Sequence, residues 1–185
     1  MKKITKHLVL ALAILCMGGI TTSCDSDTIA QIISQFFNTG ETYTFSGTAA
    51  SRLYTGSYKT AKWDEMNAYE YGLTTMLECA NDLGTLTIQA MSTQGISQIA
   101  ITNLTLTPNA DQTYTVLANS QTSQISGSVT IDNVTYTAAA WELVTAAATP
   151  SEMALELIVY FQGTGDSSDY SKKLLLTFTG ATATE

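Results

Sequence analysis

Side chains able to do covalent or proton-transfer chemistry are scarce in this chain. There is one histidine, His7, and there are three cysteines, Cys16, Cys24 and Cys79. His7 lies in a segment with the marks of a removable leader; without it no Cys-His pair, Ser-His-Asp triad or histidine-based metal site can be assembled. Cys79, between Glu78 and Ala80, reads as a buried structural thiol rather than a nucleophile. Asp64, Glu65, Glu70 and Glu78 are near enough in sequence for two of them to act as the acid and base of a glycosidase. In a chain with 16 acidic residues, solvated surface charge is the plainer use of these four. Asp166-Ser167-Ser168-Asp169 lacks the ligand number and spacing of a calcium loop and reads as a turn. The expectation is a protein without catalysis, cofactor or metal. What remains is contact chemistry: Trp63, Tyr69, Tyr71 and Trp141 can offer flat faces to an apolar or glycan ligand. Trp141 ends an alternating strand and reads as core, which leaves Trp63 as the better candidate for exposure.

Cys24 has a different chemistry. Lys2, Lys3 and Lys6 precede an apolar stretch from Leu8 to Gly19, then Thr21-Thr22-Ser23 lead into the cysteine. Charged, apolar, small is the order of a secretory signal, and about a dozen apolar residues are too few for a helix to span the hydrocarbon of a membrane. A cysteine directly after small residues is where a lipoprotein signal is cut and where the thiol receives its lipid. The expected division is therefore a signal peptide over 1–23, a lipidated tether with a short helix over 24–40, and one domain over 41–185. The alternative is ordinary cleavage near Ser23, leaving a soluble protein with an unmodified Cys24.

Residues 24–185 number 162, enough for one domain with a real core. They keep Arg52, Lys59, Lys62, Lys172 and Lys173 against all 16 acidic residues, an excess of eleven negative charges. Such a surface disfavours nucleic acid and leaves membrane contact to the anchor. With Cys24 lipidated, Cys79 has no disulfide partner.

The elements that would position these side chains read almost entirely as strands. Ile29, Ile32, Ile33, Phe36 and Phe37 are spaced as one face of a short helix, capped by Asp27 or Thr28 and ended by Asn38-Thr39-Gly40. After Gly40 the chain is rich in Thr, Val, Ile and Tyr, with alternation and turn residues. A hairpin is predicted at Asp132-Asn133, pairing Ile131 with Val134, Val129 with Tyr136 and Gly127 with Ala138; Ile125 and Ala140 extend the same face. Leu155, Leu157, Val159 and Phe161 should face inward opposite Leu174, Leu176 and Phe178, across the loop 163–169. Leu86, Ile88 and Ala90 alternate, Ile99 and Ile101 shift phase to Leu104 and Leu106 through a bulge at Thr102-Asn103, and Tyr114 and Val116 follow a turn at Pro108-Asn109-Ala110-Asp111. Tyr43 and Phe45 start a first strand, Arg52 to Tyr58 make a second, and Lys62 to Gly72 reads as a loop or short helix. The sum is an all-β fold: a single antiparallel meander of about eight to ten strands closed into a barrel, with a two-sheet sandwich as the alternative.

The signal ending at Cys24, the acidic tether Asp25-Ser26-Asp27 and the opening strand Tyr43-Thr44-Phe45-Ser46-Gly47-Thr48 resemble the calycin-like, lipocalin-type surface lipoproteins of Bacteroidota. That resemblance implies an outer-membrane lipoprotein exposed at the cell surface. A lipocalin's Gly-x-Trp is missing, since Trp63 follows Ala61-Lys62. Two roles then compete: a non-catalytic module binding an apolar or glycan ligand, and a structural or accessory protein working through protein contacts.

Overall fold

The computed structural model describes residues 37, 40–81, 83–109, 114–163 and 169–182. The signal segment, Cys24, the tether, the expected helix up to residue 36, Ala110-Asp111 of one turn and most of the 163–169 loop lie outside the described residues.

Nine strands form one antiparallel sheet: β1 (Thr42–Ser57), β2 (Lys62–Ala80), β3 (Leu83–Ile88), β4 (Ile99–Pro108), β5 (Thr115–Ser126), β6 (Ser128–Ile131), β7 (Val134–Ala148), β8 (Glu152–Gly163) and β9 (Lys172–Thr182). Their order is β5-β4-β3-β2-β1-β9-β8-β7-β6, and β5 also pairs with β7, which closes a hydrogen-bonded ring through eight strands. The fold is thus barrel-like and all-β, one closed sheet rather than two stacked ones. An eight-strand ring encloses just enough width for side chains to fill. Here Phe45, Leu77, Leu86, Ile99, Leu104, Leu157, Phe161 and Phe178 fill it, each almost wholly buried. Phe37 is buried as well and meets Tyr43 edge-on at 4.9 Å. A turn over Met91–Ile96 joins opposite walls: Ser51 donates to Gln94 Oε1 at 2.7 Å, and Thr130 N–H donates to the Gly95 carbonyl at 2.9 Å.

The two hairpins pair as their alternation predicts. Ile131 faces Val134 and Val129 faces Tyr136, with Asp132 and Asn133 both at positive φ, the geometry of a two-residue turn matching strand twist. Leu155, Leu157 and Val159 oppose Phe178, Leu176 and Leu174, and all six are buried. The bulge at Thr102-Asn103 is also present: Asn103 takes φ +56°, and the register with β5 jumps there. The expelled residues of β5 are held by Ser120 and Ser123, whose hydroxyls both donate to the Asn103 carbonyl.

Five expectations are corrected. Tyr43 to Ser57 is one strand, because β1 pairs without interruption to β9 from Phe45 to Thr55. Lys62 to Gly72 is strand as well, the first half of β2, paired with β1 along its length. Met66 is the extra residue of a bulge there, since Leu53 opposes Asn67 while Tyr54 opposes Glu65; the bulge breaks the alternation that would have marked a strand. Ala140 does not share the face of Ala138: the register slips between them, and Ala140 sits opposite Tyr160 on the outside. Ile125 leaves the hairpin to pair with Ile101, after Gly127 turns the chain at φ +144°, a conformation open to glycine. Ala90 lies exposed past the end of β3.

Candidate functional site

Inward Leu53, Leu174, Val159 and Phe161 force their neighbours outward, and a row of outward residues crosses four strands. Glu65 on β2 opposes Tyr54 on β1, Tyr54 opposes Lys173 on β9, and Lys173 opposes Tyr160 on β8. One step toward the strand ends, Trp63 opposes Gly56, where a side chain would collide with the Lys62 carbonyl and the indole edge. The missing Cβ lets the indole lie over β1.

The Lys173 ammonium stands 4.5 Å from the centre of the Tyr54 ring and 4.7 Å from that of Trp63, a double cation–π contact. Partial burial holds its pKa below the usual lysine value. Beside it Tyr160 lies tilted at 6.0 Å from Trp63 and 5.9 Å from Tyr170. Its phenol pKa is raised, first by burial and then by Glu142 and Tyr58. Tyr58, in the turn between β1 and β2, meets both Tyr160 and Tyr170 edge-on at 5.2 Å while remaining 54% exposed. The turn is fastened from the segment that leads into β9, the strand beside β1. The Ser57 hydroxyl donates to Asp169, the Lys59 amide donates to the same carboxylate at 3.2 Å, and the Tyr58 amide donates to the Tyr170 carbonyl at 3.1 Å. Those bonds, the Ser57 one foremost, hold the Asp169 pKa below the usual carboxylate value. Arg52 closes one side of the row through its ion pair with Glu65 at 3.2 Å. The arrangement can accept a flat ring on exposed tyrosine and an anionic group at a partly desolvated ammonium.

The four aromatic residues singled out from sequence do not converge. Trp63 belongs to this outer platform. Tyr69 and Tyr71 lie on the opposite face of β2, paired with Ser51 and Ala49; the Tyr71 hydroxyl turns to the Met91 sulphur, and burial raises its pKa. Trp141 faces the interior from β7, opposite Val159, and its indole N–H donates to Asn119 Oδ1 on β5 at 2.8 Å. That bond crosses a stretch where β5 and β7 are not paired, since their ladder holds only Thr115-Ala148 and Val116-Ala147. Tyr54, Tyr58, Tyr160, Tyr170 and Lys173 were not singled out from sequence. Alternation held the signal for two of them: with Phe161 and Leu174 inward, Tyr160 and Lys173 must face out.

The four candidate carboxylates are strung along β2, with Glu65 paired to Arg52. Cys79 is buried, and its thiol is pushed up to about 11 by desolvation and by Glu41 and Glu78. Among the described residues no group of three or more His, Cys, Asp or Glu side chains is placed to hold a metal ion. Comparison with known protein families, with curated proteins and with solved structures finds no match.

Proposed function

We propose that this chain is a lipid-anchored protein of the bacterial cell envelope, attached through Cys24 to the outer membrane and facing the cell surface, where it binds a glycan or apolar ligand without catalysis. The observation that carries the binding reading is the braced aromatic platform around Tyr58, Trp63 and Tyr160, set on the outside of a barrel whose interior is occupied by its own side chains. Exposed rings held in fixed positions lose little entropy on contact with a ligand. The closed eight-strand meander is the architecture that the resemblance to calycin-like lipoproteins implies, and it supports that affiliation. The platform replaces the lipocalin mouth as the ligand site in this reading.

Native mass spectrometry of the full-length protein after exposure to a broad cell-envelope extract tests it. A retained small molecule, lost in a Trp63→Ala variant, supports the reading; a bare protein mass sinks it. For the anchor, metabolic labelling with a fatty acid should mark the wild type and not Cys24→Ala. A Cys24→Ala variant that remains labelled would remove the anchor from this account.

A role through protein contacts has one observation in its favour. β2 pairs with β3 only from Thr75 to Ala80, so among the described residues the other edge of its first half, Lys62 to Leu73, has no strand partner. Such an edge can accept a strand from another chain.

A further inference from the structure

All five basic residues that follow Cys24 lie at one end of the barrel. Arg52 is on the last part of β1, Lys59 in the turn, Lys62 at the start of β2, and Lys172 and Lys173 at the start of β9. Acidic residues occur at this end too, among them Asp64, Glu65, Asp132 and Asp169, but elsewhere the chain after Cys24 has acidic residues and no basic ones, so the aromatic platform sits at the one end where cations are found. Surface charge scattered at random would not gather this way around the five rings of Tyr54, Tyr58, Trp63, Tyr160 and Tyr170.

We propose that the platform binds an acidic oligosaccharide, a chain of pyranose rings bearing uronate carboxylates, with a sugar face on Tyr58 and a carboxylate on the Lys173 ammonium. This rests on the binding reading above and names its ligand class. Tyr58 supplies the stacking face because it is the most exposed ring of the group and is braced on both flanks. Lys173 supplies the charge: among the described residues the sole ion pair is Arg52 with Glu65, so its ammonium meets rings and no carboxylate. Its solvation is already reduced, as its lowered pKa records, so less water must be stripped when an anion arrives. Carboxylates border the site as well, with Asp64 between Trp63 and Glu65 but opposite Thr55 on the other face of β2. Glu65 is neutralised by Arg52, Asp169 is turned to Ser57 and the Lys59 amide, and Glu142 stands near Tyr160.

A nucleic acid also offers rings and anions, but proteins that hold single strands combine a basic track along the backbone with several stacking faces in succession. Here Tyr58 is one exposed ring, and beyond this end the chain after Cys24 has no Lys or Arg to continue a track, which favours the glycan.

The test is a calorimetric titration of the purified full-length chain in detergent with oligogalacturonate, a neutral oligosaccharide of equal length and oligothymidylate. Oligogalacturonate should bind and weaken as salt rises. Lys173→Gln and Tyr58→Ala, each checked for native near-ultraviolet circular dichroism, should lower its affinity by about tenfold or more, the worth of a charge-assisted bond or a stacked ring. The neutral sugar should bind more weakly by a similar factor. Equal affinity for the two sugars with no effect of Lys173→Gln overturns the acidic specificity and leaves the broader binding reading intact. Tighter binding of oligothymidylate overturns the choice of a glycan. Failure of every sugar, in a chain that still retains another molecule from envelope extract, overturns this inference alone.

Discussion

Asp169 shows how one side chain can hold a surface in shape. From the segment leading into β9 it bonds the Ser57 hydroxyl and the Lys59 amide beyond the end of the adjacent β1, and so sets the turn that presents Tyr58. Its carboxyl titrates below the ordinary 3.8 because both bonds favour the charged form. With the folded-state pKa depressed, its contribution is fully present above 3.8 and fades as pH falls through the lower folded value. The Lys59 amide should therefore gain hydrogen-exchange protection as pH rises through that window, after correction for intrinsic rates, and Asp169→Asn should flatten the step. An unchanged profile in the variant would show that the turn holds without the carboxylate. Phe161 acts at the same scale from the other side of the wall, wholly buried opposite Ala138. Phe161→Ala should cost about 3–5 kcal/mol in urea denaturation, from lost burial plus the cavity left among rigid neighbours. A loss under about 1 kcal/mol would mean that the interior collapses to refill the space.

Hairpins and bulges decide which way these side chains point. The β6-β7 turn needs two consecutive residues at positive φ, and Asp132 and Asn133 tolerate this better than most residues other than glycine. Asn133→Val should destabilise the protein by about 1–2 kcal/mol in thermal or chemical melts, since a β-branched residue is strained there. Replacing the pair with Asn-Gly should keep or raise stability, and a loss would show that the side chains matter beyond backbone shape. The bulge at Met66 has the opposite visibility. It puts Glu65 opposite outward Tyr54 and Asn67, itself exposed, opposite inward Leu53, so the segment carries no clean alternation, and a strand reads as a loop. The slip between Ala138 and Ala140 hides in the same manner, because alanine on either face looks alike in sequence.

At the scale of the whole barrel, the ring is unevenly sealed. β1 is paired on both sides for most of its length, whereas the first half of β2 has one partner and the β5-β7 seam holds two residue pairs plus the Trp141–Asn119 bond. Native-state hydrogen exchange should reflect this. Amides of Lys62 to Leu73 that point away from β1 should exchange fast, while those of Thr75 to Ala80, paired on both sides, should be among the slowest. Equal protection of the two halves would mean that something covers the β2 edge in solution, and light scattering would then reveal a second copy.

Sequence by itself determined the all-β class, the two main hairpins, the register of the one at Asp132-Asn133, the bulge at Asn103 and the buried Cys79. Those features rest on local rules: alternation with a period of two, turn residues tolerant of positive φ, and apolar surface that must leave water. Only the tertiary structure decided that Tyr54, Tyr58, Trp63, Tyr160, Tyr170 and Lys173 share one surface while Tyr69, Tyr71 and Trp141 lie elsewhere. The platform joins β1 and β2 to β8 and β9, with more than a hundred residues of chain between Tyr54 and Lys173. Their adjacency arises when the sheet closes on itself and brings β9 against β1, a long-range pairing that no periodicity within either strand encodes.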